Sequence, residues 1–324
     1  MRIQLIGLGA IGRNLLKLIE EKQNLIKKLT GDRLEVVSVS DSTGTLITTD
    51  IPLSQIIRAK EEGRLKDFPT FEKINSSESI AQIDADIVVE VTQSTKDGRP
   101  GVDHVLQAFS HGKDVVTANK SIMISDIDVL EKAADQGVKI RYEATVCGGL
   151  PVFNLMDHSI KVARIRSVEV VFNATSSLVL SEMEKGKSRS EAIAEAVKIG
   201  LAEHDPSDDL KGIDSARKGL ILHRTIFGSK LKIDDAKILV KEEEMVPGVR
   251  QVTEVTEEGV RVSLQKKEGK GYLSLVSGPS MIIRFNTDSF DNLTLFTEHD
   301  GPLESSSAVL NDIVILMSQR AGKE

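Results

Sequence analysis

Through the first 145 residues, short apolar runs alternate with longer stretches in which apolar residues recur every three or four positions. The runs are RIQLIG, LEVVSVS, DIVVEV, DVVTA and KIRYEA; the periodic stretches between them run through Leu29, over 102–111 and over 126–136. Strands that are apolar throughout and separated by helices belong to a parallel sheet covered on both faces. The pattern therefore predicts an α/β fold whose N-terminal part is a Rossmann-type, doubly wound parallel sheet. Residues 44–79 interrupt it with one predicted helix, PLSQIIRAKEEG, in an otherwise polar and largely surface insertion.

After Gly149 the pattern changes. A helix in LPVFNLMDHSIKV, a strand in IRSVEVVFN and two helices through Gly186 and Gly200 are followed by the strand-like pieces GVRVSLQK, GYLSLVS, SMIIRFN and NLTLFTE, with Gly, Asn or Pro between them. This half reads as α+β. The last helix, SSSAVLNDIVILMSQR, has serine caps at Ser305–Ser307 and is expected to return to the first domain. The expected organisation is a nucleotide-binding domain, 1–145, completed by a helix over 305–324, and a substrate-binding and dimerisation domain, 146–304.

Composition narrows the function. A chain of 324 residues with 40% apolar content has ample core for two domains. Net charge is −7 with the signs interspersed, only 3% of residues are aromatic and none is Trp, which argues against nucleic acid or an anionic membrane as partner and for a small ligand. The N-terminus has no leader pattern and no stretch reaches eighteen apolar residues, so a cytoplasmic protein is expected. The single cysteine, Cys147, fits a reducing compartment and reads as a buried small residue rather than a nucleophile. The six histidines never fall at i,i+3 or i,i+4 spacing, which disfavours a metal hydrolase.

Gly7-Leu8-Gly9-Ala10-Ile11-Gly12 fits G-x-G-x-x-G, directly after a predicted strand and before an amphipathic helix. The first glycine permits the turn, the second lets backbone approach a pyrophosphate, and the third lets helix and strand pack, while the helix N-terminus offers free N–H groups. The competing reading is a glycine-rich turn that only packs. Asp41 closes the second predicted strand, where a carboxylate accepts a ribose 2′-hydroxyl and repels a 2′-phosphate, a lean toward NAD over NADP. Against it stand Arg58 and Lys60 in the insertion, either of which suits a phosphate, and the alternative that Asp41 is a turn residue bonding its own backbone.

The densest chemistry lies in GLAEHDPSDDLKGIDSARK, residues 200–218. With a helix starting near Gly212, Asp214 and Lys218 share one face, an acid and an amine able to pass protons; a solvated ion pair is the bland alternative.

Together with Thr117-Ala118-Asn119-Lys120 and Glu143-Ala144-Thr145-Val146-Cys147-Gly148-Gly149-Leu150-Pro151, in this order, these segments resemble the homoserine dehydrogenases over nearly the whole chain. The resemblance implies NAD- or NADP-dependent interconversion of aspartate 4-semialdehyde and homoserine, at a branch toward threonine, methionine and isoleucine. It marks Lys120, Lys218 and Asp214 as catalytic; Glu203, Asp209 and Asp214 as substrate-binding; and Gly7, Gly9, Ala10, Ile11, Gly12, Asp41, Thr92, Lys120 and Gly301 as cofactor-facing. It also implies a homodimer and a Na⁺ ion held by Glu143 and the backbone carbonyls of Val146, Gly148 and Leu150. In that chemistry negative charge develops on the aldehyde oxygen, so a nearby ammonium is required; a lysine beside a second lysine is expected to have its pKa lowered, with Asp214 keeping one of them charged.

Two segments depart from the family. Ala174-Thr175-Ser176-Ser177-Leu178 stands where Gly-Thr-Thr-Asn-Tyr is usual, and Glu298-His299-Asp300-Gly301-Pro302 replaces a glycine-rich turn. They motivate an alternative, a catalytically silent relative that binds nucleotide or amino acid. An appended regulatory domain is not expected. Aspartate semialdehyde dehydrogenase is disfavoured because it needs a cysteine nucleophile.

Overall fold

The computed structural model describes residues 1–202 and 205–322. By internal contacts the chain forms two compact units, residues 1–149 together with the segment from Pro302, and residues 150–301.

In the first unit β1 (Arg2–Ile6) leads into α1 (Ala10–Thr30), then β2 (Glu35–Asp41), β3 (Gly44–Ile47), α2 (Leu53–Glu61), β4 (Phe71–Glu72), α3 (Ser76–Gln82), β5 (Ile87–Glu90), α4 (Gly101–Ser110), β6 (Asp114–Thr117), α5 (Lys120–Met123), α6 (Val129–Gln136) and β7 (Ile140–Arg141). The sheet order is β4-β3-β2-β1-β5-β6-β7. From β2 to β7 the pairs are parallel, with β1 in the middle, whereas β3 and β4 are antiparallel additions to one edge. The polar insertion thus contributes two strands and a second helix, α3, that its composition did not announce. Short antiparallel edge strands on a parallel sheet are a common extension.

Apolar residues fill the strands because both faces are covered: Ile3, Leu5, Ile87, Val89 and Val116 are fully buried. One covering layer comes from far along the chain. Helix α12 (Pro302–Arg320) buries Val309, Ile313 and Leu316 in the same core as Leu15, Leu16 and Ile19 of α1. Polar clamps fix it. Asp312, 1% exposed, accepts from Arg141 Nε at 2.9 Å and from the Glu143 backbone N–H at 2.9 Å. Arg320 pairs with Asp114 at 2.9 Å and with Asp86 at 3.2 Å. The first unit runs past 145 to Gly149, which lies so close to α12 that a Cβ on it would come within 2.8 Å of Glu304.

The second unit begins with α7 (Val152–Asn154), which widens into a π turn over Leu155–Ser159, and continues with β8 (Ile165–Val171), α8 (Ala174–Glu184), α9 (Arg189–Lys198), α10 (Ser207–Leu210), α11 (Ile213–Phe227), β9 (Lys237–Ile238), β10 (Val249–Thr256), β11 (Gly259–Lys266), β12 (Met281–Thr287) and β13 (Leu293–Thr297). Its sheet runs β13-β12-β8-β10-β11-β9, antiparallel except for β9 on β11. GYLSLVS, expected as a strand, is a 3-10 turn at Tyr272–Leu275 that places Leu273 and Val276 over Val171, Val252 and Ile282. Strand β10, which pairs with β8 and β11, was not among the expected strands. Helix α11 lies tightly on β10 and β11 because Gly219 has no side chain; a Cβ there would come within 2.7 Å of Val260 and 2.9 Å of Thr253.

Candidate active site

In the first unit the carboxyl ends of β1, β2 and β5 open onto a cavity of about 960 Å³ lined by Gly7, Gly9, Asp41, Lys60 and Thr92 among others. The glycines are there for separate reasons. Gly7 has φ of +108°, and a Cβ on it would lie 2.8 Å from the Val91 carbonyl; a Cβ on Gly12 would lie 2.1 Å from the Gly7 oxygen, so only glycine lets α1 seat against β1. Nothing lies within 4 Å of a Cβ on Gly9. The protein leaves that space open, and Gly9 lines the cavity at the start of a 21-residue helix with no side-chain cap, which suits a pyrophosphate.

At the end of β2, Asp41 accepts from the backbone N–H and hydroxyl of Thr43 and from Lys60, which reaches over from α2. Burial raises the Asp41 carboxyl, but the Lys60 ammonium and the Thr43 donors outweigh it and hold the group below the usual carboxylate range. Asp41 is thus both the turn residue and a cavity residue. Arg58, by contrast, is exposed and beside Glu62. Deeper, the fully buried Glu90 accepts from the hydroxyl of Thr92, and Asn119 donates to the same hydroxyl at 3.3 Å. Lys120 is the first residue of α5, directly after Asn119, whose side chain caps that helix.

The second unit gathers four polar side chains at the junction between β8 and α8. Asp214, in the first turn of α11, is 2.9 Å from Lys218 one turn on, and both side chains are largely buried. Lys218 also donates to the Phe172 carbonyl at 3.1 Å. The next residue, Asn173, caps α8 by accepting from the Ser176 N–H at 2.8 Å, and its amide donates to Asp209 at 2.6 Å and to Asp214 at 3.2 Å. Asp209 is carried by the one-turn helix α10, whose Asp209 and Leu210 carbonyls are held by buried Gln251 of β10. Burial pushes the Lys218 ammonium toward neutrality, but Asp214, Asp300 and Asp209 together raise its pKa well above the usual lysine range. Asp214 thus keeps this lysine of the pair charged, as expected, and Asp300 and Asp209 add to its effect.

Residues 7–143 match the family profile described as homoserine dehydrogenase, NAD binding domain, and residues 151–314 match the one described as homoserine dehydrogenase. The chain belongs to the homoserine dehydrogenase family. It is 32% identical to a homoserine dehydrogenase of Methanocaldococcus jannaschii over 97% of this chain and 98% of that one. Among solved structures it is similar to a homoserine dehydrogenase from Thermoplasma acidophilum, with a TM-score of 0.87 and 32% identity over 98% of each chain. It is similar also to a hyperthermophilic archaeal homoserine dehydrogenase in complex with NADPH, with a TM-score of 0.87 and 27% identity over 98% of each.

Within this member of the homoserine dehydrogenase family, the fold brings Gly7, Gly9, Asp41 and Thr92 to one cavity, with Gly12 packed beneath it. Ala10 and Ile11 open α1 without lining the cavity; Ile11 packs toward the core, and its carbonyl accepts from Ser306 of α12. Gly301 is the last residue of the second unit. Glu203 lies outside the described residues. Glu143 is buried at the turn beside α12, Val146 and Leu150 are buried, and Cys147 and Gly148 follow each other in the left-handed region. Among the described residues no group of three or more His, Cys, Asp or Glu side chains is placed to hold a metal ion, and no helix is long and apolar enough to cross a membrane. Sequence reasoning passed over Asn173, Gln251 and Glu90. The signal available for Asn173 was its place just after a predicted strand and before a helix, the position of an N-cap.

Proposed function

We propose that this chain interconverts homoserine and aspartate 4-semialdehyde with a nicotinamide dinucleotide. The supporting observation is the buried cluster of Asp209, Asp214, Asn173 and Lys218, two acids and a charged amine beside one another in a unit of its own. Acids there suit the substrate ammonium, with Glu203 as a further acid on the family resemblance, and Lys218 supplies the cation that the aldehyde oxygen needs as it becomes negative. The nicotinamide supplies the hydride in reduction and takes it in oxidation. Lys218 and Lys120, the two family lysines, are the groups proposed to stabilise that charge and to pass the proton.

The cavity with Gly7, Gly9, Asp41 and Thr92 is the proposed dinucleotide site, and Asp41 supports NAD as the better cofactor. A Na⁺ ion at Glu143 and the carbonyls of Val146, Gly148 and Leu150 belongs to the same reading, its support being a buried carboxylate beside two consecutive left-handed residues. The reading extends to a cytoplasmic reaction at the branch toward threonine, methionine and isoleucine, and to a homodimer formed through residues 150–301, where β9 and β13 are open sheet edges. Light scattering after gel filtration that gives a monomer mass removes the dimer.

The test is absorbance at 340 nm with purified protein, homoserine and either NAD⁺ or NADP⁺. Turnover with at least one supports the dehydrogenase; folded protein silent with both favours a binding protein.

A further inference from the structure

The N-cap of α8 needs only an acceptor, and the Asn173 side-chain oxygen supplies it to the Ser176 N–H at 2.8 Å. The amide nitrogen is surplus to that task, yet it is committed: one bond of 2.6 Å goes to Asp209 and one of 3.2 Å to Asp214. We propose that Asn173 is a positioning residue, whose amide ties the two carboxylates into one doubly negative site for the ammonium of the amino acid substrate. The inference rests on the dehydrogenase reading above and adds to it the residue that makes the acidic pair workable.

Two carboxylates brought close in a buried place repel, and one of them ordinarily takes up a proton. A shared N–H donor offsets the repulsion and lets both stay ionised. Asn173 is well placed for this because it is itself fixed, 4% exposed, at the strand-to-helix joint whose Phe172 carbonyl receives Lys218. It also acts where the scaffold is weakest. Asp209 stands on a helix of four residues, whose backbone is held by Gln251 and whose side chain is held by Asn173. Lys218 and Asp300 complete the charged surroundings of the pair.

Serine and aspartate cap helices as well as asparagine does, but neither offers the amide donors. Asn173→Ser and Asn173→Asp therefore keep the cap and remove the tie. Expected are a melting temperature near wild type in the serine variant and a lower one in the aspartate variant, which sets a third carboxylate beside the two, a KM for homoserine raised at least about tenfold in the serine variant and further in the aspartate variant, and an unchanged KM for the nicotinamide cofactor. Wild-type KM values in both variants would reduce Asn173 to a cap and overturn the proposal, as would loss of folding in both. If wild-type protein shows no turnover, the dehydrogenase reading fails by itself, and homoserine binding measured by calorimetry in the same three proteins decides the role of Asn173.

Discussion

Lys218 keeps its proton because three acids of its own unit outweigh its burial. A lysine whose folded pKa is raised contributes stability in full below the unfolded value, about 10.4, and loses it as pH climbs from there through the folded value. Urea unfolding at pH 8 and pH 11 is expected to show wild type losing more stability between the two than Lys218→Met does. At the chemical step, Lys218→Ala and Lys120→Ala are each expected to lower kcat by at least about 100-fold, checked by steady-state kinetics at neutral pH; near-wild-type turnover removes that lysine from the mechanism. Asp41→Ser is expected to raise the ratio of kcat/KM for NADP⁺ over NAD⁺, because it removes a carboxylate from the cavity and releases Lys60 from it. The pairing of Asp214 with Lys218 was legible from a spacing of four residues. The share of Asp209 and Asp300 in the lysine's charge was not, because they meet it only through folding.

Elements were readable where their period was long and regular, as in α1, and hidden where they were short or their pattern was set by neighbours. Strand β10, VRQVTEVT, has its valines at every third position instead of every second, and its Arg250 and Gln251 are buried because each finds partners across the unit. Helix α3 is seven residues long and is announced only by its capping box at Asn75 and Glu78. Its far end depends on Lys113, buried, which donates to the Ile80 and Ile83 carbonyls and to Gln4. Lys113→Met keeps the stem and strands those acceptors, so a loss of about 2 kcal/mol is expected in urea unfolding. Gly12→Ala drives a methyl group into the Gly7 carbonyl and is expected to cost about 2 kcal/mol and to raise the KM for cofactor, read by the same unfolding curves and by kinetics.

At the scale of the whole chain, the two-part organisation was visible in the switch from βα alternation to antiparallel pattern after Gly149, and the return of the last helix in its apolar face. What sequence could not supply is how that helix is held. Asp312 is a polar residue within an apolar helix, and its meaning lies with Arg141 and Glu143, some 170 positions earlier. Asp312→Ala is expected to destabilise the first unit by about 3 kcal/mol, since it removes a buried carboxylate that both Arg141 and the Glu143 N–H bond to; thermal unfolding followed by circular dichroism measures it. Helix α12 also bears on how the protein comes into being. On the ribosome, the early strands emerge with a face that α1 only partly shields, and the whole of residues 150–301 must be translated before its cover is complete. That delay leaves a greasy sheet waiting in the cell, and makes the newborn first unit a natural client for chaperones.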